Sequence, residues 1–386
     1  MFNTLDNQKI TKEKIINMPA ELTFSFSIIG ILISFPVLHY VSERYFIPSL
    51  DQIASRLKMS SDIAGSTLMA VGSSTPELAI VLFAIFLPGS HLDIGVGTIV
   101  GSALFNLLVI VGIVMFISKS KLTWQPLVRD LIFFAMSVIF LISFYWNGSI
   151  DLIEASLFVL VYISYITVMY YWKRLFPYRD TEKDLKAKTN LSNTVSFNLV
   201  GLNNIKRKIA SLLDKSDAKV MRNFPILKNH YISFFISIVI ITFLGWILTV
   251  SAINISKFSG INEVLVGLII IAVGTSIPDL FSSIIVAKQG RPGMAINNAI
   301  GSNIFDILIG LGIPLIILIS ITNEKVQVDS SNLIESFILL FGSVVLLTVA
   351  LYLTKWRAKK IIGYLLIGLY IAFIIFEIIK LALFTT

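Results

Sequence analysis

The chain contains no cysteine. Disulfide frameworks, thiolate nucleophiles and cysteine metal sites are therefore excluded, and the redox compartment leaves no trace. Histidine is scarce as well: His39, His91 and His230 are the three, each at the end of an apolar run or in a loop. Zinc, copper and iron thus lack their usual ligands. Charge is the third shortage. Only 14% of the 386 residues are charged while 56% are hydrophobic, against about a quarter and about half in soluble domains. What fills the space is apolar runs of span length, which place the chain in the membrane class. Barrel strands alternate between apolar and polar residues; these runs are continuous, so they predict helices.

Ten spans are expected, at about 22–42, 62–87, 94–118, 127–146, 151–172, 231–252, 262–287, 294–320, 332–354 and 361–383. The fold class that follows is an all-α polytopic membrane protein with ten transmembrane helices. The first run, from Leu22, has the length of a span and lacks a small-residue cleavage pattern, so it reads as span 1 rather than a signal peptide.

The net charge of +8 has a topological origin. The loops after spans 1, 3, 5, 7 and 9 hold Arg44, Arg56, Lys58, Lys119, Lys121, Lys288, Arg291, Lys355, Arg357, Lys359 and Lys360, besides thirteen basic residues in the central segment 173–230. The other loops hold only Lys257 and Lys325. The positive-inside rule makes the odd-numbered loops cytoplasmic and puts both termini outside. The arm bearing Lys9, Lys12 and Lys14 runs against that bias and is outvoted. Nucleic-acid binding is not expected. Within the central segment, Leu199, Leu202, Ile205, Ile209 and Leu212 recur at helical spacing beside Lys206, Arg207 and Lys208. That pattern fits a cytoplasmic helix packed on the protein or lying on an anionic membrane surface.

The chain contains itself twice. "AVGSSTPEL" (70–78) returns as "AVGTSIPDL" (272–280), and "GSALFNLLVIVG" (101–112) returns as "GSNIFDILIGLG" (301–312). Each half has five spans, an odd number, so the second copy enters the membrane from the opposite side. The expected domains are a first inverted repeat at 22–172, a cytoplasmic loop at 173–230 and a second inverted repeat at 231–386. Inverted repeats are a transporter signature, with the site near the midplane at the repeat interface.

Both copies should break their helix. Pro76 offers no N–H to the carbonyl of Gly72, nor Pro278 to that of Gly274. Freed carbonyls at bilayer depth need protein, water or an ion. Beside the breaks lie Ser73, Ser74 and Thr75 in one copy, Thr275 and Ser276 in the other, each followed by a carboxylate, Glu77 or Asp279. Spans 3 and 8 add Ser102 with Asn106 and Ser302 with Asp306, each pair at i, i+4 on one helix face. Asn303 neighbours the second pair, and Gly101 and Gly301 allow close helix approach.

This inventory is oxygen only. Hard ligands without imidazole or thiolate suit Ca²⁺, Na⁺ or K⁺, and Mg²⁺ less because it keeps its waters. Glu77, Asp279 and Asp306 lie deep in otherwise uncharged spans, with no Lys or Arg expected at their depth. Each costs about 2.5–3.5 kcal/mol or more at a helix centre when unpaired. Mobile cations or protons are the counter-ions left. A site that is unfavourable when empty favours exchange, because it crosses between its two accessible states loaded. Asp130, near a span end, and Glu377 with Lys380, an expected i, i+3 surface pair, are not assigned to the site.

At these residues the sequence resembles the cation/calcium exchanger superfamily, and within it the potassium-dependent sodium/calcium exchangers. The likeness lies in "GSSTPEL" with "GVGTIVGSALFNLL", in "GTSIPDL" with "GSNIFDILIGL", and upstream in "YFIPSLDQIASRLKMSSDIAGSTLMAVGSSTPEL". Glu in one repeat and Asp in the other is typical of the potassium-dependent branch; the simpler branch usually has Glu in both. The resemblance implies that Glu77 and Asp279 bind Ca²⁺ in competition with Na⁺. It implies that Ser73, Ser74, Ser102, Asn106, Thr275, Ser276 and Ser302 complete the cation sites. Asp306 matches the position linked to potassium, although a carboxylate also occurs there in some exchangers not known to need it. A central segment this short lacks room for a large calcium-sensing domain.

The expected function is a secondary-active antiporter of the plasma (cell) membrane, exchanging Na⁺ for Ca²⁺ with K⁺ co-transported. It is not an enzyme, needs no cofactor and has no obligate protein partner; its partners are inorganic cations and the lipid bilayer. The alternative is a Ca²⁺/H⁺ exchanger using the same carboxylates. A cation channel fits less well, since its pore usually lies on an oligomer axis. An intramembrane aspartyl protease fits poorly, because no Gly-x-Gly-Asp segment occurs.

Overall fold

A computed structural model describes residues 20–57, 59, 61–87, 91–118, 120–178, 229–328 and 333–384. Almost all of it is helix, because only helices or closed barrels satisfy the backbone inside lipid. Among the described residues nine helices are long and apolar enough to cross a membrane. A bent pair, Gly65–Ser73 and Thr75–Phe86, whose axes differ by 46°, makes ten if it is counted as one span. This pair is span 2. Span 1 is Ala20–Val41, followed by a π-helical turn Ser42–Phe46 and a short helix Ile47–Arg56. Spans 3 to 5 are Leu92–Ile117, Trp124–Trp146 and Leu152–Leu175. Spans 6 to 10 are His230–Ser259, Glu263–Lys288, Pro292–Thr322, Ile334–Leu353 and Lys360–Phe384. The basic stretch 199–213 lies outside the described residues.

Local chemistry sets the span ends. Asp151 and Glu154 form a reciprocal capping box at the start of span 5, with both hydrogen bonds at 3.0 Å. Asn229 and Asn262 cap spans 6 and 7 through Tyr231 N–H and Val264 N–H. Gly260, at φ +72°, closes span 6 in the left-handed conformation.

Loops expected on one side of the membrane meet. Strands β1 (Ser149–Ile150) and β2 (Val326–Gln327) join the loops after spans 4 and 8 in an antiparallel pair, which an all-helix expectation omits. His91 and Glu263, where spans 3 and 7 begin, bridge at 2.7 Å. On the other side Lys121 pairs with Arg357, joining the loops after spans 3 and 9. Large apolar side chains such as Phe26, Leu32, Ile163, Phe235, Ile338 and Ile375 point outward, as a bilayer solvent requires.

Spans 3 and 8 are the centre. Gly101 packs on span 7 so closely that a Cβ there would meet Leu268 O at 2.2 Å; Gly301 packs on span 2, where a Cβ would meet Ser66 Cα at 2.8 Å. The residues correspond: 101 to 301 and 66 to 268. Contacts exchanged in this reciprocal way are those of a two-fold relation between the halves. Asn303 Nδ2 donates to the carbonyl of Ala103, its own counterpart, at 3.1 Å, which puts that contact on the two-fold axis.

One expectation about charge needs correction. Glu377 and Lys380 do not form a surface pair. Lys380 bonds Glu335 on span 9, while Glu377 is buried with both carboxylate oxygens unpartnered. A three-residue step turns a side chain about 60° around the helix, enough to send one inward and the other to a neighbour. Near the start of span 4, Arg129 is buried and paired with Asp130 at 2.7 Å.

Candidate cation site

The sequence repeats place four helix segments against one another at the two-fold interface: the breaks of spans 2 and 7, and the middles of spans 3 and 8. Each break falls at one serine. Ser74 has φ −87°, ψ 4° and Ser276 has φ −79°, ψ 0°, both near the sparsely populated bridge region. Thr75–Phe86 and Ile277–Lys288 start immediately after, with the prolines in their first turn, where a missing N–H costs nothing. Glu77 and Asp279 then lie in the first turn of these segments, where the helix dipole favours an anion. π-helical turns occur at matching places in both copies: Gly65–Met69 and Val266–Ile271 before the breaks, Phe105–Ile110 and Asp306–Leu311 in spans 3 and 8. Such turns are frequent at functional sites.

All ten residues named from the sequence are buried: Ser73, Ser74, Glu77, Ser102, Asn106, Thr275, Ser276, Asp279, Ser302 and Asp306. Most of them meet across the halves. Ser102 Oγ lies 2.8 Å from Ser276 Oγ and donates to Glu77 Oε1 at 3.4 Å. Ser302 Oγ donates to Asp279 Oδ1 at 3.1 Å and lies 3.4 Å from Ser73 Oγ. Asn106 Nδ2 donates to Asp279 Oδ2 at 2.9 Å and to Asn303 Oδ1 at 3.0 Å. Thr275 turns its hydroxyl to the carbonyl of Ile271 in its own helix at 3.1 Å, and Ser73 does likewise to Met69 at 2.7 Å.

The halves differ at one decisive place. Asn106, a donor, faces Asp279. Its counterpart Asp306 carries a carboxyl group where Asn106 carries an amide N–H. Both oxygens of Asp306, Oε2 of Glu77, Oδ1 of Asn106 and Oγ of Ser74 are buried without a hydrogen-bond partner. The ion pairs among the described residues leave all three carboxylates without a basic partner. No three acidic or histidine side chains among the described residues lie close enough together to hold one metal ion by themselves. Any ion held here therefore draws on hydroxyl, amide or carbonyl oxygens as well. These buried carboxylate, amide and hydroxyl oxygens are of the ligand type that hard cations take.

Sequence reasoning missed a second tier. One turn beyond Asp279 and Ser302, Asn298 Nδ2 donates to Ser283 Oγ at 3.2 Å and to Ser282 Oγ at 3.4 Å, all three buried. The equivalent first-half positions are Thr98, Val81 and Ile80, so this tier is one-sided. The signal was a hydroxyl pair at i+3 and i+4 from Asp279 with no match in the first copy. Asn303 likewise counts as a site-building residue through Asn106 and Ala103.

Comparison with known proteins bears on this geometry. A family profile described as "Sodium/calcium exchanger protein" matches residues 27–171 and 229–379. The sodium/potassium/calcium exchanger 2 of Gallus gallus is 28% identical, over 91% of this chain and 77% of that protein. Sodium/potassium/calcium exchanger 4 of Mus musculus is 27% identical, over 91% of this chain and 80% of its own length. Among solved structures, the sodium-calcium exchanger NCX_Mj aligns with a TM-score of 0.57 at 20% identity, covering 91% of this chain and 98% of that one. The H⁺/Ca²⁺ exchanger CAX aligns with a TM-score of 0.60 at 16% identity, covering 96% and 85%. At these identities the two structures speak for the fold.

Proposed function

The chain belongs to the sodium/calcium exchanger protein family, and on that premise we propose that it is a secondary-active antiporter that carries Ca²⁺ outward in exchange for Na⁺, with K⁺ as a companion of Ca²⁺. It acts as a carrier and not as an enzyme. The observation that carries this reading is the set of buried oxygens without partners: both of Asp306, Oε2 of Glu77 and Oδ1 of Asn106. Buried acceptors without donors are stable only with a cation or a proton among them.

In this reading Glu77 and Asp279 bind Ca²⁺ or Na⁺. Ser73, Ser74, Ser102, Asn106, Thr275, Ser276 and Ser302 complete the cation sites with hydroxyl and amide oxygens. Asp306 adds the third charge, which a monovalent cation offsets when Ca²⁺ occupies the other two. The chain divides into repeats at 22–172 and 231–386, inverted with respect to one another, around a cytoplasmic loop 173–230. Both termini lie outside a plasma membrane. Spans 1 and 6 rock against the core of spans 2, 3, 7 and 8 to expose the site to either side in turn. The relatives named for sodium, potassium and calcium exchange support Na⁺ and K⁺ as the coupled ions.

The test is uptake of radioactive Ca²⁺ into proteoliposomes loaded with Na⁺, with and without external K⁺. Uptake is expected only with an outward Na⁺ gradient. Uptake driven by a pH gradient and indifferent to Na⁺ would replace this reading with Ca²⁺/H⁺ exchange. Single-channel currents in a planar bilayer would overturn the carrier.

A further inference from the structure

The first half carries a buried polar cluster that the cation site does not use. Asp130 on span 4 receives three partners: Arg129 Nε at 2.7 Å and Tyr165 OH at 3.1 Å on Oδ1, and Ser66 Oγ at 2.8 Å on Oδ2. Arg129 Nη2 also donates to Ser66 Oγ, at 3.3 Å. All four side chains are buried, Asp130 and Tyr165 completely. The cluster ties span 2 to spans 4 and 5, outside the four helix segments that build the site.

Ser66 gives that tie a direction. It lies in the π-helical turn Gly65–Met69, and its backbone is the surface on which Gly301 rests. Further along span 2, Ala70 O accepts from Ser302 Oγ at 3.5 Å, and Ser73 Oγ meets Ser302 Oγ. Ser66, Ala70 and Ser73 thus form one edge of span 2 against span 8. Ser302 in turn holds Asp279. The route from Asp130 to the site is short and packed throughout: Asp130 to Ser66, then the span 2–span 8 seam, then Ser302 and Asp279.

The second half has no such pin. The residue equivalent to Ser66 is Leu268, which has no side-chain hydrogen-bonding group. Gly101 still packs on Leu268, so at this point spans 3 and 7 meet by close approach, and the hydrogen bonds between them lie at Ser102–Ser276 and Asn106–Asp279. Span 2 is thus tied at Ser66 to a buried charge outside the site, a tie that Leu268 cannot make for span 7.

We propose that Asp130 is a positioning residue for cation binding, fixing through Ser66 the register of span 2 against span 8 and with it the Ser73–Ser302–Asp279 contacts. This role rests on the exchanger reading above. A bond to a buried charge is stronger and more directional than van der Waals packing, so it resists sliding of one helix along another. Removing Asp130 itself would leave Arg129 buried without its counter-ion and endanger folding. The informative variant is therefore Ser66→Ala, which keeps the Arg129–Asp130–Tyr165 bonds and cuts only the link to span 2.

Equilibrium binding of radioactive Ca²⁺ to the purified full chain is measured beside transport. For Ser66→Ala the Ca²⁺ dissociation constant should rise about tenfold, the weight of one hydrogen bond to a charged group, while maximal uptake stays within about twofold of the parent. Ser66→Thr, which keeps the hydroxyl, should restore the parent's affinity. The charge-neutral pair Arg129→Gln with Asp130→Asn should fold and show weakened affinity like Ser66→Ala. A lower melting temperature with unchanged Ca²⁺ affinity in Ser66→Ala would overturn the positioning role and leave a purely structural cluster. Failure of the parent protein to bind Ca²⁺ at all would instead overturn the exchanger reading on which the role rests.

Discussion

Asn106 on span 3 donates its amide N–H to Oδ2 of Asp279 on span 7 across 2.9 Å. The bond runs from one half of the chain to the other and gives Asp279 a donor that Glu77, its equivalent, does not receive. The second half has Asp306 where the first has Asn106, so the equivalent position offers a carboxyl group in place of an amide donor. At this place the duplicated framework is made chemically unequal by an amide-to-acid difference. Most of the expected behaviour of the site follows from that inequality.

Neutralising Glu77 should separate stability from function. Its Oε2 is buried without a partner, so Glu77→Gln removes a destabilising charge from the ion-free protein. The melting temperature in ion-free buffer should rise. The further rise on adding Ca²⁺ should vanish, because ligand stabilisation requires binding to the folded state. Ca²⁺ uptake should fall by at least about 100-fold, the upper end of what losing a supporting ligand costs a metal site. Thermal unfolding with and without Ca²⁺, beside uptake, checks both signs.

Asp306→Asn makes the second half resemble the first at this position. Residual Na⁺-driven Ca²⁺ uptake is expected to survive, since Glu77 and Asp279 remain. Stimulation by external K⁺ should disappear, because the third negative charge that a monovalent cation offsets is gone. Titrating K⁺ against initial uptake rate tests this; a K⁺ response equal to that of the unmutated chain would remove Asp306 from the potassium role.

Protons must compete at the same oxygens. A carboxylate binds a cation only when deprotonated, so Ca²⁺ binding should release protons and weaken as pH falls. The sign is fixed: acidification adds protons to the ion-free site and lowers apparent Ca²⁺ affinity, and raising pH restores it. A pH indicator in weakly buffered detergent solution, read during Ca²⁺ addition, should report acidification. No proton release in Glu77→Gln combined with Asp279→Asn is the matching control.

The central crossings should tolerate no side chain. In Gly101→Ala the new methyl would lie 2.2 Å from Leu268 O, and in Gly301→Ala 2.8 Å from Ser66 Cα, both backbone atoms that cannot rotate away. Each should cost about 1–3 kcal/mol as overpacking and slow transport by prising spans 3 and 7, or 8 and 2, apart. Gly342→Ala meets nothing within 4 Å and should be neutral or mildly stabilising. Melting temperatures of the three variants in one detergent provide the comparison.

Much of this was legible in the residues. Long apolar runs fix helices and their number to within the bent span 2, because lipid allows the backbone no other solution. The spaced repeats pointed to Glu77, Asp279 and their hydroxyl neighbours, since a proline beside a carboxylate is costly in a span unless something uses it. Burial of all ten named residues follows the same logic.

Other features depended on which helix faces which. Nothing in the local sequence tells that Asn106 meets Asp279 rather than Glu77, that Ser102 meets Ser276, or that Asn303 touches Ala103. Those pairings come from the crossing of spans 3 and 8 on the two-fold axis. The same holds for Lys380, which passes over Glu377 for Glu335, and for Ser66, whose hydroxyl reaches Asp130 some sixty residues along the chain. By itself, then, the sequence determined the class, the repeats and the chemistry on offer, because hydrophobic length and residue type act locally. Only the tertiary structure decided the partners. A charge in a low-dielectric interior is defined by what stands within a few ångströms of it, and packing alone sets that.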